Sequence, residues 1–278
     1  MKKRILVVGA TSRLGQPIVY QLSRDNFLVR IFSRNEDKAK EIFGSSYEII
    51  CGKISENNIL KKAVEDCFGI YLNLPPQNGF NVAKSFIDVC AGKNLDRIAC
   101  ITGSTVEERN TWFPHIEEKY RIEQLIQKSG IPYTIFKPSW FMESLPKFVM
   151  NGRATIFGKQ PNPFHWLAAA DYAKLVSNAF KTDAAKNKKF YIHGPEEIRM
   201  HDALQKYVQK FHPDIKVSTM PYWLIKIIAL LSRKSELKMI VSLMEYFEKV
   251  PEKGDPTEAN EILGSLKITL DEWIRNRE

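Results

Sequence analysis

The segment Gly9-Ala10-Thr11-Ser12-Arg13-Leu14-Gly15 lies between a short apolar run, Ile5 to Val8, and a helical pattern that begins at Gln16. This placement constrains the fold more than any other feature of the chain. Gly9 permits a tight turn and lets backbone approach a pyrophosphate, and Gly15 lets the following helix pack closely on the strand. The start of that helix presents N–H groups and a partial positive charge to phosphate. Ser12 stands where a middle glycine is common, so the spacing is G-x-x-x-x-x-G. A glycine pair alone is weak evidence, but strand, turn and helix together supply the context that a dinucleotide-binding unit requires.

The rest of the first half repeats the rhythm. Strands are expected at 28–32, 47–50, 70–74, 97–102 and 133–136, and helices at 16–23, 37–43, 58–66, 81–91 and 116–129. Short apolar strands alternating with helices of 8–14 residues imply an α/β fold, a doubly wound parallel sheet of the Rossmann type. After Pro138 the rhythm breaks. Aromatics and prolines crowd 138–164, which reads as loops with one short helix. Helices follow at 169–180, 201–211, 221–247 and 270–275, with a strand at 189–192. The expected division is a nucleotide-binding domain over 1–137 and a smaller, mostly helical substrate or partner lobe over 138–278, interleaved with the first through 165–195.

The end of the second strand distinguishes the two nicotinamide cofactors. An acid there would bind the ribose 2′-OH of NAD, whereas an arginine accommodates the 2′-phosphate of NADP. The sequence is Phe32-Ser33-Arg34-Asn35, with no acid before Glu36. Arg34 offers a planar fork for a phosphate, and Arg13 is placed to close on it from the turn. NADP(H) is therefore favoured over NAD(H). The formal charge of +9 agrees with an anionic ligand, but the charges are scattered and no nucleic-acid-binding motif accompanies them, so no nucleic acid is expected. Cys51, Cys67, Cys90 and Cys100 stand singly, without metal-ligand spacing, as buried thiols of a reducing compartment do. The apolar N-terminal run is too short for a signal peptide, and the stretch 222–231 is too short for a membrane span. A cytoplasmic protein is expected.

These residues resemble the atypical short-chain dehydrogenases, and among them the NmrA-like family. The resemblance rests on Gly9-Ala10-Thr11, on Ser33-Arg34, and on the stretch from Lys119 to Glu123 through Ser129 to Pro138. It continues weakly through 165–171 and 191–195 to Leu270-Asp-Glu-Trp273. It implies that Lys119 holds the nicotinamide ribose. In the wider superfamily a tyrosine four residues earlier exchanges a proton with substrate; here His115 occupies that position. His115 either replaces the phenol as proton donor or is a loop residue after Pro114. Tyr120 is turned about 100° away around the helix.

The resemblance further implies a hydroxyl after the fifth strand, which Ser104 of Thr102-Gly-Ser-Thr105 matches best. The family usually has an aspartate near the adenine where this chain has Lys53. Asn73, Leu74, Pro75 and Pro76 end the fourth strand, where ligands sit in such sheets, and with Pro138 would line the cofactor. Trp140, Phe141 and Met142 would wall a flat apolar substrate, or form core.

Two functions fit. One is an NADPH-dependent oxidoreductase acting on a small carbonyl or quinone through Lys119, His115 and Ser104. The other is a catalytically silent NADP-binding redox sensor signalling to a regulatory protein partner, with the apolar faces of 221–247 as a partner surface or as core.

Overall fold

A computed structural model describes residues 2–232 and 235–277. In chain order the first part runs β1 (Arg4–Val8), α1 (Gly15–Arg24), β2 (Leu28–Ser33), α2 (Glu36–Phe43), β3 (Glu48–Cys51), α3 (Asn57–Ala63) and β4 (Gly69–Leu72). It continues through α4 (Gly79–Cys90), β5 (Arg97–Ile101), α5 (Pro114–Lys128) and β6 (Tyr133–Pro138). There follow β7 (Val149–Met150), β8 (Arg153–Phe157), β9 (Pro163–Trp166), α6 (Ala169–Ala179), β10 (Lys188–Ile192), β11 (Glu196–Arg199) and α7 (Met200–Phe211). The chain ends with β12 (Val217–Met220), α8 (Tyr222–Ser232), α9 (Ser235–Lys249), α10 (Thr257–Leu263) and α11 (Leu270–Arg275).

Seven strands form one parallel sheet in the order β10-β6-β5-β4-β1-β2-β3. Strand order reverses at β1, which pairs with both β2 and β4, and that reversal is the crevice where doubly wound sheets bind ligands. The central strands are largely apolar because helices cover both faces, and Ile5, Leu6, Ile70, Leu72 and Ile98 are inaccessible to solvent.

The chain divides into two compact units. The first comprises 1–138, 169–192 and 255–265, and the second 139–168, 193–254 and 266–278. The helix α10 therefore returns to the first unit, contrary to the division expected from sequence. Asn178 donates to the Leu263 carbonyl at 2.8 Å, and Lys188 pairs with Glu258 at 2.5 Å.

The second unit is helical but also holds two small sheets. The stretch 138–164, expected to be loops and one short helix, holds that short helix as a 3-10 helix over Met142–Phe148, and it also contains β7, β8 and the start of β9. β7 and β8 form a hairpin whose two-residue turn, Asn151-Gly152, has positive φ at both positions. Asn-Gly favours that turn, so the signal was present. β12 joins β8 in parallel, and β9 pairs antiparallel with β11. The single helical stretch expected over 221–247 is two helices, α8 and α9. The core of this unit gathers Trp166, Phe164, Leu145, Met200 and Leu204.

Candidate functional site

The turn after β1 is built by close approach. Gly9 has φ +77°, and a Cβ there would lie 2.1 Å from the Asn73 carbonyl oxygen. A Cβ on Gly15 would lie 2.3 Å from the Gly9 carbonyl. Ser12 uses its side chain as a middle glycine cannot. Its Oγ accepts from the Gly15 N–H at 3.0 Å and from Asn73 Nδ2 at 2.7 Å, tying the turn to the end of β4. The Ser12 carbonyl accepts from Gly15 and Gln16, and Pro17 has no N–H, so the first donors of α1 are already used. Among the described residues, the N–H groups of Thr11, Arg13 and Leu14 have no protein partner. The open donors thus belong to the turn rather than to the first helical residues. The first turn of α1 has no acid, whereas α2 is capped by Asn35 and starts with Glu36 and Asp37. A phosphate is favoured at the first site and repelled at the second.

The register Val8 opposite Phe32 sets the end of β2 beside this turn. Arg34 and Arg13 are exposed, and neither joins an ion pair or hydrogen bond among the described residues. Glu36, the first acid after β2, is held by Lys40 at 2.6 Å along α2. The Ser33 hydroxyl donates to the Asn35 carbonyl at 2.8 Å and shapes the turn that presents Arg34. The Asn73 N–H donates to Val8, and Leu74 packs on the core. Lys53 is exposed, and its N–H donates to Glu56.

After β5, the Lys119 ammonium donates to the Thr102 carbonyl at 2.7 Å and lies beside Gly103. Burial pulls the Lys119 pKa below 10.5, against the opposing fields of Cys100, Glu123 and Glu118. Of the three hydroxyls, Thr102 donates to buried Glu123 at 2.8 Å, and Glu123 also pairs with Lys189 at 2.9 Å. Ser104 is buried and pinned through its N–H to the Pro138 carbonyl at 2.9 Å.

His115 lies in the first turn of α5, one helical turn before Lys119 on the same face. It is therefore not a loop residue. Burial, and next the Lys119 charge, lower its pKa from 6.5, so the imidazole is neutral at pH 7. Its proton resonances are expected to titrate below pH 6.5; Lys119→Met moves the midpoint up and Glu118→Gln moves it down. A wild-type midpoint at or above 6.5 would contradict this environment.

The residues expected to wall a substrate, Trp140, Phe141 and Met142, lie in the second unit. Trp140 is half-buried among Phe148, Phe164, Trp166 and Phe247, and Phe141 bridges to Leu167. Met142 is inside the core and cannot form wall. Sequence reasoning missed a polar cluster nearby in this unit. The Glu252 side chain is 4% exposed and accepts from the Ser139 hydroxyl at 2.8 Å and from the His165 N–H and Nδ1, each at 3.0 Å. His165 stacks on His193 at 4.3 Å with an interplanar angle of 10°. The hydrogen bond to Glu252 raises the His165 pKa. Ligand-bearing atoms of the three residues lie within 4.8 Å of one another. Through these bonds Ser139, His165 and Glu252 form one hydrogen-bonded network. The distance of 87 positions between Glu252 and His165 hides it from any local pattern.

The NmrA-like family matches residues 1–274. The photosystem II assembly factor Ycf39 of Trieres chinensis is 22% identical over 246 residues, spanning 81% of this chain and 74% of its own. The NADPH-dependent quinone oxidoreductase QOR2 of Escherichia coli, solved with NADPH, shares the fold with a TM-score of 0.79 at 16% identity, over 98% of each chain. Citrobacter sp. triphenylmethane reductase does so with a TM-score of 0.78 at 15% identity, again over 98% of each.

Proposed function

Because this chain belongs to the NmrA-like family, we propose that it is an NADPH-dependent reductase of a small carbonyl or quinone. The observation that carries this reading is the pair of exposed arginines, Arg13 in the turn and Arg34 after β2, which have no ion-pair or hydrogen-bond partner among the described residues, while Glu36, the first acid after β2, is held by Lys40. The turn donors of Thr11, Arg13 and Leu14 would hold the pyrophosphate, and the arginines the 2′-phosphate. Lys119 would hold the nicotinamide ribose, and Asn73, Leu74 and Pro75 would line the adenosine half. When bound, NADPH supplies the hydride. Ser104 would orient the acceptor oxygen, and neutral His115 would donate a hydrogen bond to it. The quinone oxidoreductase and the dye reductase named above support a flat apolar acceptor by analogy of fold. Among the described residues no helix is long and apolar enough to cross a membrane, and a cytoplasmic setting is part of the proposal.

A second reading, a silent NADP-binding sensor, draws on the same histidine. Imidazole replaces the phenol, and its lowered pKa leaves little imidazolium to act as an acid at pH 7. One assay separates the two. Purified protein is mixed with NADPH and a panel of quinones and aldehydes, and loss of the reduced-nicotinamide absorbance is followed. Turnover on at least one quinone is expected. Tight NADPH binding without turnover on a broad panel would favour the sensor.

A further inference from the structure

Exposed apolar surface concentrates on α8 and α9. On α8, Trp223 (65% exposed), Ile227 (48%) and Leu230 (68%) recur at helical spacing on one face, with Ile228 beside them. Met239 and Ile240 extend the exposed set onto α9. Ile225 and Ala229 fill the buried side of α8, so this helix is apolar on both faces. A surface helix of a protein that stays in water normally turns charge outward. A cluster of six large exposed apolar residues marks a docking surface.

The charges around it identify the occupant. From Pro221 to Lys238 the sequence carries four cations, Lys226, Arg233, Lys234 and Lys238, against one acid, Glu236. Lys226 is paired with Glu245 at 2.5 Å, and Lys238 is exposed without an ion-pair partner among the described residues. An anionic bilayer matches this excess of cations in the sequence with its headgroups, and it offers an acyl boundary to Trp223, Ile227 and Leu230. The 11 residues of α8 are too few to span a bilayer, but suffice to lie in its surface.

We propose that α8 and α9 dock this protein on the headgroup layer of an anionic phospholipid bilayer. The inference is independent of the cofactor site. The test is flotation of the full chain with vesicles of phosphatidylcholine alone or mixed with phosphatidylglycerol, at low and high salt. The expected result is binding to the anionic vesicles only, weakened by salt. The double variant Ile227→Glu, Leu230→Glu should lose at least about tenfold in vesicle affinity. Both positions are exposed, so its melting temperature should match wild type. Met150→Glu, an exposed apolar position elsewhere, should bind as wild type does. Failure of wild type to float with anionic vesicles would overturn the proposal, as would unchanged binding by the double variant. A wild-type dimer that the double variant converts to monomer would make a second copy the occupant instead.

Discussion

Gly9→Ala is expected to abolish measurable NADPH binding and to lower the melting temperature in the same variant. The reason is local and severe. Gly9 sits at φ +77°, a conformation that costs an alanine about 1–2 kcal/mol. Its new Cβ would also stand 2.1 Å from the Asn73 carbonyl oxygen and 3.2 Å from the Asn73 Cβ. Asn73 cannot simply move aside, because its N–H is bonded to Val8 at 3.1 Å and its amide to Ser12 at 2.7 Å. Relief therefore means separating β1 from β4 at the point where the strand order reverses. Roughly 3 kcal/mol or more of destabilisation follows from strain and overlap together. The turn donors lose their common aim, and NADPH affinity should fall by about a hundredfold or more. Gly44→Ala is the matched control. Gly44 also has positive φ, at +69°, but nothing lies within 4 Å of the point its new methyl would occupy. Only backbone strain is added there, and cofactor binding should persist. Thermal denaturation and a fluorescence titration with NADPH check both variants. Equal losses in the two would show that strain rather than close approach decides.

Lys119→Met should lower kcat/KM with the best acceptor by roughly 10²–10³-fold, about the cost of removing one preorganised donor. Methionine keeps the length of the side chain and loses the ammonium that donates to Thr102. Lys119→Ala should behave alike, separating loss of charge from a shape effect of methionine. Neither variant is expected to unfold. Burial lowers the Lys119 pKa, so the unfolded chain holds that proton more tightly than the native one, and native stability rises as pH climbs toward 10.5. Removing the charge removes that penalty. In wild type, NADPH affinity should decline as pH rises through a midpoint below 10.5, and that alkaline decline should be absent in Lys119→Met. Unchanged kcat/KM in Lys119→Met would remove the lysine from the chemistry.

The parallel sheet was legible because its strands are buried on both faces, so apolar runs such as Ile5 to Val8 and Ile98 to Cys100 stand out against the helices between them. Lys119 was legible only through resemblance, since one lysine on a helix carries no signal of its own. Ser12 and Asn73 were both named for the cofactor. Their mutual hydrogen bond joins positions 61 apart, and Ser12, by accepting from the Gly15 and Gln16 N–H groups, leaves the open donors in the turn rather than at the start of α1. The second unit was read poorly for a different reason. β7 is two residues long and β11 four, below the length at which alternation is visible, and only Asn151-Gly152 marked a hairpin. The return of α10 to the first unit depends on contacts such as Asn178 with Leu263, which no local pattern encodes. The apolar periodicity over 221–247 was plain, but periodicity does not say which apolar face is covered.

The central claim is that Arg34, with Arg13, makes this site a seat for the 2′-phosphate. Titration of NADPH and NADH separately into wild type and Arg34→Ala tests it directly. Wild type is expected to bind NADPH more tightly than NADH. Arg34→Ala should weaken NADPH by about ten- to a hundredfold, the worth of one charge-assisted contact, and leave NADH unchanged. Equal affinity of wild type for the two cofactors, or NADPH affinity unaltered in Arg34→Ala, would contradict the claim.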